Sequence, residues 1–168
     1  MLKRTYEGQN CSIARALELV GERWTLLIVR DAFLGLHRFD EFQASLGVAP
    51  NTLTDRLNRL VGEGIMERSA YSERPPRFEY RLTEKGRELA VPLLALMQWG
   101  DRHLSPKPPR IARRRSDRSG VRAVLVARDD RLVSPAEIEV VAGPGLAASA
   151  PARASTGSAR RSSGASQE

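Results

Sequence analysis

The chain has 168 residues, which is the size of a single domain, and a formal net charge of +7. Its single cysteine, Cys11, excludes an intrachain disulfide and a zinc site built on several cysteines. The sequence has no apolar run of membrane-spanning length and no apolar stretch behind its first basic residues, which predicts neither a membrane span nor a secretory signal. We therefore expect a cytoplasmic protein that needs no metal or cofactor.

The excess of basic residues lies mainly in the last third of the chain. Residues 1–104 carry 15 basic and 14 acidic side chains, whereas residues 105–168 carry 12 and 6. All tryptophans, tyrosines and phenylalanines come before residue 105. We therefore expect an N-terminal arm over residues 1–10, a folded domain over residues 11–104 and a C-terminal region of another kind. A basic tail of this composition either binds a polyanion such as nucleic acid or only keeps the chain soluble.

Three short helices are predicted in the first part of the domain. The first begins near Ser12, a potential cap, and ends at Gly21. The second is predicted over residues 23–34 and the third over residues 39–46, because apolar side chains recur along one side of each. Gly47 then predicts a tight turn.

The fourth helix is predicted to begin at Pro50, because proline suits the first turn of a helix. Its apolar face has the spacing of a buried helical stripe and consists of Leu53, Leu57, Leu60 and Val61. Its other face carries hydrogen-bonding side chains, namely Asn51, Thr52, Asp55, Arg56 and Arg59. The helix therefore has one side for the core and one side for a polar partner.

A β-hairpin follows this helix. Residues 65–71 are predicted to form its first strand and residues 72–76 its turn. In the second strand Phe78, Tyr80 and Leu82 alternate with charged residues, which is typical of a half-buried strand. The prolines and arginines near the turn predict a stiff, basic tip.

A last helix is predicted over residues 84–104, with Thr83 as its cap and Pro92 as the residue that kinks or divides it. Its apolar side chains cover more than one face, so that this helix must be buried on several sides. A domain of this size offers too little surface for that, and we expect the helix to pack against a second copy of the chain. The residues expected at this dimer interface are Leu93, Leu96, Met97 and Trp99.

The remaining sequence divides by composition into three parts. Residues 105–118 are predicted to be a basic, proline-rich linker. Residues 119–146 are predicted to be a small β-rich extension with short strands over 121–127 and 138–141. Residues 147–168 contain alanine, serine, arginine and glycine without an apolar pattern, which predicts disorder.

The order of these elements is typical of a winged helix-turn-helix: a mainly α-helical domain with a small basic β-hairpin. In such domains the second helix of the turn enters the major groove of DNA, with its N-terminal residues nearest the bases. The DNA-contacting residues predicted on this helix are Pro50, Asn51, Thr52, Thr54, Asp55, Arg56 and Arg59. Arg56 suits a guanine, Asn51 an adenine and Arg59 a phosphate. The β-hairpin is the wing of such a domain, and its Arg74 and Arg77 are predicted to enter a minor groove.

Several motifs also resemble the HxlR-type transcriptional regulators over about residues 8–104. They are CSIARAL (11–17), GERWTLLIVRD (21–31), RF (38–39), LTDRL (53–57), GI (64–65), PRFEYRLTEKG (76–86) and WG (99–100). The resemblance implies a bacterial or archaeal, homodimeric, double-stranded-DNA-binding regulator related to the MarR group. It implies that residues 50–61 form the recognition helix and that the terminal helices form the dimer.

Cys11 is the candidate redox sensor, because several members of this family sense oxidants through a cysteine near the N-terminus. A helix N-terminus also favours the thiolate form of a cysteine. The alternative is a half-buried, inert cysteine. A small-molecule effector is compatible with the sequence, but no residue specifies one.

The motifs of phosphate-binding loops, zinc peptidases and serine hydrolases are missing from the sequence, and we expect no enzymatic activity. His37 and His103 are expected to be surface or capping residues rather than catalytic ones. The alternative to a regulator is a winged-helix protein-interaction module whose basic tail binds nucleic acid without sequence preference.

Overall fold

The computed structural model of the chain describes residue 6 and residues 9–145. The chain divides into two compact units, residues 1–138 and 139–168, and every helix and strand of the described residues lies in the first. In chain order these elements are α1 (Ser12–Val20), α2 (Thr25–Phe33), α3 (Phe39–Leu46), α4 (Pro50–Gly62), β1 (Met66–Glu73), β2 (Pro76–Leu82), α5 (Glu84–Arg87), α6 (Ala90–His103), β3 (Leu125–Val126), β4 (Leu132–Val133) and a 3-10 helix (Pro135–Glu137). In the second unit, residues 139–145 form neither helix nor strand. The tail over 147–168, predicted to be disordered, lies outside the described residues.

The core of the first unit lies where α2, α3 and α4 meet the β1–β2 hairpin. The largest side chains with almost no exposed surface belong to Phe42, Ile28, Leu53, Leu57, Leu60 and Met66. The helices and the hairpin therefore share one apolar centre, as the helical and alternating patterns predicted. The winged helix-turn-helix fold class is confirmed.

The first helix begins at Ser12, as predicted, but its cap position shifts to Cys11, and the second helix begins two residues later than predicted. Cys11, rather than Ser12, is the residue before α1, and no side chain caps that helix. The α2 helix begins at Thr25 instead of residue 23, because Trp24 has a φ of 80° and interrupts the helical backbone. Neither shift changes the side of the helix that faces the core.

The predicted last helix is divided into α5 and α6. The break falls at Glu88 and Leu89, and Pro92 lies in the first turn of α6. Proline has no N–H to donate to the carbonyl four residues earlier, and its ring collides with that carbonyl in a continuous helix. The expectation that Pro92 kinks or divides the helix is therefore confirmed.

The hairpin is antiparallel and has a two-residue connection. Met66 pairs with Leu82 at its base, and Glu73 pairs with Pro76 at its tip. The register shifts between Ala70 and Ser72. Such an irregularity bends the strand and increases its twist, and it therefore changes the direction of the basic tip.

Gln98 of α6 binds the backbone of the extension through both ends of its side-chain amide. Gln98 donates a hydrogen bond from its Nε2 to the carbonyl of Val121 at 2.7 Å, and its Oε1 accepts one from the N–H of Ala123 at 2.9 Å. The strands of the extension differ from the prediction, since the strand expected over residues 121–127 is limited to Leu125–Val126. Strand β3 pairs with β4, whereas residues 138–141 form no strand, so the prediction of a strand there was wrong.

Candidate nucleic-acid interface

The position of α4 is set by a short turn and by leucine side chains. Gly47 ends α3 in the left-handed region, with a φ of 60°, which glycine adopts without strain. The neighbouring Val48 is buried. Leu53, Leu57 and Leu60 of α4 are buried completely or almost completely. The opposite side of α4 is therefore held towards solvent in a fixed orientation.

The exposed side of the first half of α4 is polar and accessible. Asn51, Thr54 and Asp55 are exposed, as is Pro50, and Thr52 is half-buried at the edge of this face. The residue before the helix is Ala49, and no side chain caps the helix N-terminus. The first N–H groups of α4 are thus left to water or to an anion, which a DNA phosphate can supply.

The two arginines of α4 are in contact with another part of the protein. Arg56 Nη1 lies 2.6 Å from Glu22 Oε2, and Arg59 Nη1 lies 3.0 Å from Glu22 Oε1. Glu22 is in the turn between α1 and α2. The structure therefore places Arg56, which we expected at a guanine, and Arg59, which we expected at a phosphate, beside one carboxylate.

The tip of the hairpin presents two exposed arginines, Arg74 and Arg77. Behind the tip, two further arginines lie against aromatic rings. The guanidinium of Arg68 is 4.5 Å from the ring centre of Phe78, and that of Arg38 is 4.7 Å from the ring centre of Tyr71. The prediction singled out neither Arg68 nor Arg38, because each meets its aromatic ring through the fold: Arg68 lies on the strand opposite Phe78, and Arg38 lies directly before α3.

A carboxylate in the first turn of α3, that of Glu41, lies near the residues that precede this helix. Glu41 accepts hydrogen bonds from the backbone N–H groups of His37 at 2.8 Å and Arg38 at 2.9 Å. These two hydrogen bonds hold the pKa of Glu41 below its ordinary value. The carboxylate is therefore a stable anchor for the N-terminus of α3.

The α6 helix has apolar side chains but no buried residue. Of the four residues expected at a dimer interface, Leu96 and Trp99 are exposed, at 54% and 49%. Leu93 and Met97 are half-buried and line an open cleft of about 750 Å³ between α2 and α6. Residues 110–112, within the predicted linker, form another wall of that cleft.

The remaining candidate groups are separate from these surfaces. Cys11 is an exposed free thiol directly before α1. The ring of His103 packs against Trp99, with 5.1 Å between ring centres, and a ring nitrogen of His37 lies 3.5 Å from Arg81.

Within residues 9–145 no three His, Cys, Asp or Glu side chains are placed to hold a metal ion. No helix in that part of the chain is long and apolar enough to cross a membrane.

This arrangement agrees with the result of a comparison with protein families. The sequence model of the HxlR-like helix-turn-helix family matches residues 19–108. The chain belongs to the HxlR family. The match includes α2 to α6 and thus the whole helix-turn-helix, the hairpin and the helix after it.

Relatives of this HxlR-family chain carry names of transcriptional regulators. An uncharacterized HTH-type transcriptional regulator of Mycobacterium tuberculosis is 52% identical over 107 residues, which are 64% of this chain and 66% of the relative, just under two thirds of its length. The HTH-type transcriptional regulator YvaP of Bacillus subtilis is 36% identical over 93 residues, 55% of this chain and 86% of YvaP. The names of these relatives classify them as bacterial HTH-type transcriptional regulators.

Solved structures of similar fold give the same classification. The candidate transcription factor PA1607 is 38% identical with a TM-score of 0.72, covering 80% of this chain and 96% of PA1607. The Pseudomonas aeruginosa candidate transcription factor PA1374 is 45% identical with a TM-score of 0.60, covering 82% of this chain and 96% of PA1374. The redox regulator HypR in its reduced form is 31% identical with a TM-score of 0.52, covering 56% of this chain and 96% of HypR. The first two similarities extend beyond the segment matched by the family.

Proposed function

We propose that the chain is a sequence-specific DNA-binding regulator that acts in the cytoplasm as a homodimer on an inverted-repeat operator. The observation that carries this proposal is the structure of α4. Its leucines are buried, while Asn51, Thr54 and Asp55 at its N-terminal end are exposed. A helix presented in this way fits the major groove and can pair with base edges.

Direct base reading is assigned to the exposed N-terminal half of α4. Asn51 suits adenine, because its side-chain amide has one donor and one acceptor that match the two groups of adenine in the major groove. Asp55 is compatible with this face where it accepts from the amino group of a cytosine. For Arg56, the contact with Glu22 at the flank of the helix favours the DNA backbone over a guanine.

The wing is assigned to the minor groove beside the site of α4. Arg74 and Arg77 are exposed at the tip of the hairpin, where no core contact restricts them. A narrow A·T-rich minor groove has an enhanced negative potential that attracts arginine. The wing therefore adds affinity without contacts to the base edges that α4 reads.

Dimer formation is assigned to the apolar face of α6. Val91, Leu96 and Trp99 are exposed on a helix that has no buried side chain in the single chain. Exposed apolar surface on this scale is typical of an interface. A two-fold dimer presents two copies of α4, and it therefore fits an operator with two inverted half-sites.

The experiment that tests the function is selection of bound duplexes from a random pool, carried out with the unaltered protein and with Asn51→Ala. The unaltered protein should enrich an inverted repeat. Asn51→Ala should lose preference at one base pair of each half-site, at a cost of about 1–3 kcal/mol for the selected duplex. Binding of all duplexes with equal affinity would support instead an interaction module with a basic tail.

Regulation by a thiol switch at Cys11 is a second part of the proposal. Cys11 is exposed at the start of α1, and the structurally similar HypR is a redox regulator known in reduced and oxidized forms. An oxidant that takes up two electrons and two protons would join Cys11 to the partner's Cys11 or to a small thiol. Cys11→Ser should bind DNA as the reduced protein does and should keep that affinity after treatment with diamide, whereas the unaltered protein should change. Equal responses of both proteins to diamide would contradict the switch.

A further inference from the structure

The corner between α1 and α2 forms a small cluster of charges with α4. Glu22 is in contact with Arg56 at 2.6 Å and with Arg59 at 3.0 Å, and it uses a different carboxylate oxygen for each arginine. Its side chain is 40% exposed. One carboxylate at the protein surface thus holds two cations of the proposed recognition helix.

Each arginine of this cluster also has a backbone acceptor. Arg56 Nε donates to the carbonyl of Arg23 at 3.3 Å, and Arg59 Nη2 donates to the carbonyl of Glu18 near the end of α1. The guanidinium of Arg23 itself lies 5.0 Å from the ring centre of Trp24. Three guanidinium groups are therefore gathered at this corner, and Glu22 is the acid that contacts two of them.

The cluster lies on one flank of α4. Thr52, Arg56 and Arg59 are spaced by four and three residues, which places them along the same side of a helix. All three are half-buried at the border between the exposed face and the α1–α2 corner. When a helix enters the major groove, the phosphates of the two strands run along its flanks, so that this is a position for backbone contacts.

We propose that the Glu22 carboxylate occupies the position that a DNA phosphate takes in the complex, and that it lowers the affinity of the protein for every DNA sequence. This inference rests on the proposed function. On binding, Arg56 and Arg59 exchange Glu22 for phosphate oxygens. Partly exposed ion pairs are weak, whereas an arginine bound to phosphate by two hydrogen bonds is held more strongly. The exchange is therefore favourable, but breaking the ion pairs with Glu22 reduces the free energy that the phosphate contacts contribute to binding.

The test compares Glu22→Gln with the unaltered protein by the fluorescence anisotropy of a labelled duplex of random sequence at several salt concentrations. Glu22→Gln should bind more tightly. The carboxylate of Glu22 offsets one of the two positive charges of Arg56 and Arg59 beside the phosphates, so its neutralisation should add about 0.9 to the slope of log affinity against log salt. The matched control is Glu88→Gln, an equal change of charge on an exposed side chain outside the corner. It should leave the slope unchanged.

A second variant connects the effect to the arginines. The double variant Glu22→Gln/Arg59→Gln has the same net charge at the corner as the unaltered protein, and its slope should return to the unaltered value. The inference would be overturned if Glu22→Gln matched Glu88→Gln, if it bound more weakly, or if the double variant kept the steep slope. Failure of the unaltered protein to bind any duplex would contradict the proposed function as well.

Thermal unfolding of each variant shows whether it is folded at the assay temperature. If Glu22→Gln does not fold, Arg56→Gln and Arg59→Gln provide the test in its place. Each of these should reduce the slope of the unaltered protein by about 0.9, because each removes one phosphate contact. An unchanged slope in both would show that these arginines do not reach the DNA backbone, and would overturn the inference.

Discussion

Gly86 in α5 packs so closely against the backbone of Ile65 that a Cβ at position 86 would overlap the carbonyl oxygen of Ile65. The same carbonyl accepts a hydrogen bond from the N–H of Thr83 at 3.1 Å. Gly86 therefore lets the short helix α5 approach the residue just before β1. This contact joins the start of the hairpin to α5, the helix that precedes α6.

Gly86→Ala should therefore destabilise the fold by about 1–3 kcal/mol, because backbone atoms on both sides must move to make room. Gly62→Ala is the matched control, since no atom lies within 4 Å of a Cβ at that position, which ends α4. The control should be neutral or stabilising by up to about 1 kcal/mol. Urea denaturation measures the free energy of unfolding of both variants. Equal effects of the two substitutions would contradict the close contact.

Glu41 should make the stability of α3 depend on pH. Its pKa in the folded protein is lowered by hydrogen bonds from the backbone N–H groups of His37 and Arg38. Because the pKa is lower in the folded protein, the Glu41 carboxylate stabilises the fold fully at pH values above its ordinary pKa of 4.5. This stabilisation is lost as the pH falls through the pKa of the folded protein. Glu41→Ala should thus be less stable than the unaltered protein at neutral pH, and the difference should shrink in acid.

Denaturant unfolding at a series of pH values checks this prediction. The control is Glu88→Ala, because within residues 9–145 the Glu88 carboxylate has no hydrogen-bond partner. Glu88→Ala should therefore change the free energy of unfolding at neutral pH less than Glu41→Ala does. A constant difference between Glu41→Ala and the unaltered protein from neutral to acid pH would mean that the two backbone hydrogen bonds do not depend on the charge of Glu41.

The apolar face of α6 should determine the oligomeric state. Leu96→Arg puts a charge at the centre of this face, where a partner helix could not solvate it, and should therefore favour the monomer. Light scattering after gel filtration should give half the mass of the unaltered protein, with weaker binding to the selected duplex. Val140→Arg, at an exposed valine outside α6, should leave both properties unchanged. A dimeric Leu96→Arg protein would exclude this face as the interface.

The tip of the wing should contribute affinity without base preference of its own. Arg74→Ala should weaken binding to selected and scrambled duplexes alike and reduce the salt slope by about 0.9, because one phosphate-directed cation is lost. Arg131→Ala is the control, since Arg131 is paired with Asp129 in the extension at 2.6 Å. Binding by Arg74→Ala that equals binding by this control would remove the wing from the interface.

The parts of the fold that depend on local signals could be predicted from the sequence. The start of α4 at Pro50 and its buried Leu53, Leu57 and Leu60 follow from residue types a few positions apart. The division of the last helix follows from the missing N–H of Pro92. In each case the physical cause lies within one or two helical turns of the residue concerned.

The features that were missed depend on contacts in three dimensions. Residues 138–141 have the apolar composition of a strand, but β3 pairs instead with Leu132–Val133, which a tight turn brings directly alongside it. Glu22 and Arg59 are 37 positions apart, and no periodicity relates them. Periodicity assigned Arg56 and Arg59 to the polar side of α4, but it could not show that a carboxylate from another element lies beside them.

A homodimeric regulator of the proposed kind inserts two copies of α4 into successive major grooves on one side of the DNA. Dimethyl sulfate footprinting on the selected duplex tests it directly, because this reagent reacts with guanine N7 in the major groove. We expect two symmetric regions of protection whose centres are about 10–10.5 base pairs apart. A single protected region, or weak protection spread evenly along the duplex, would contradict it.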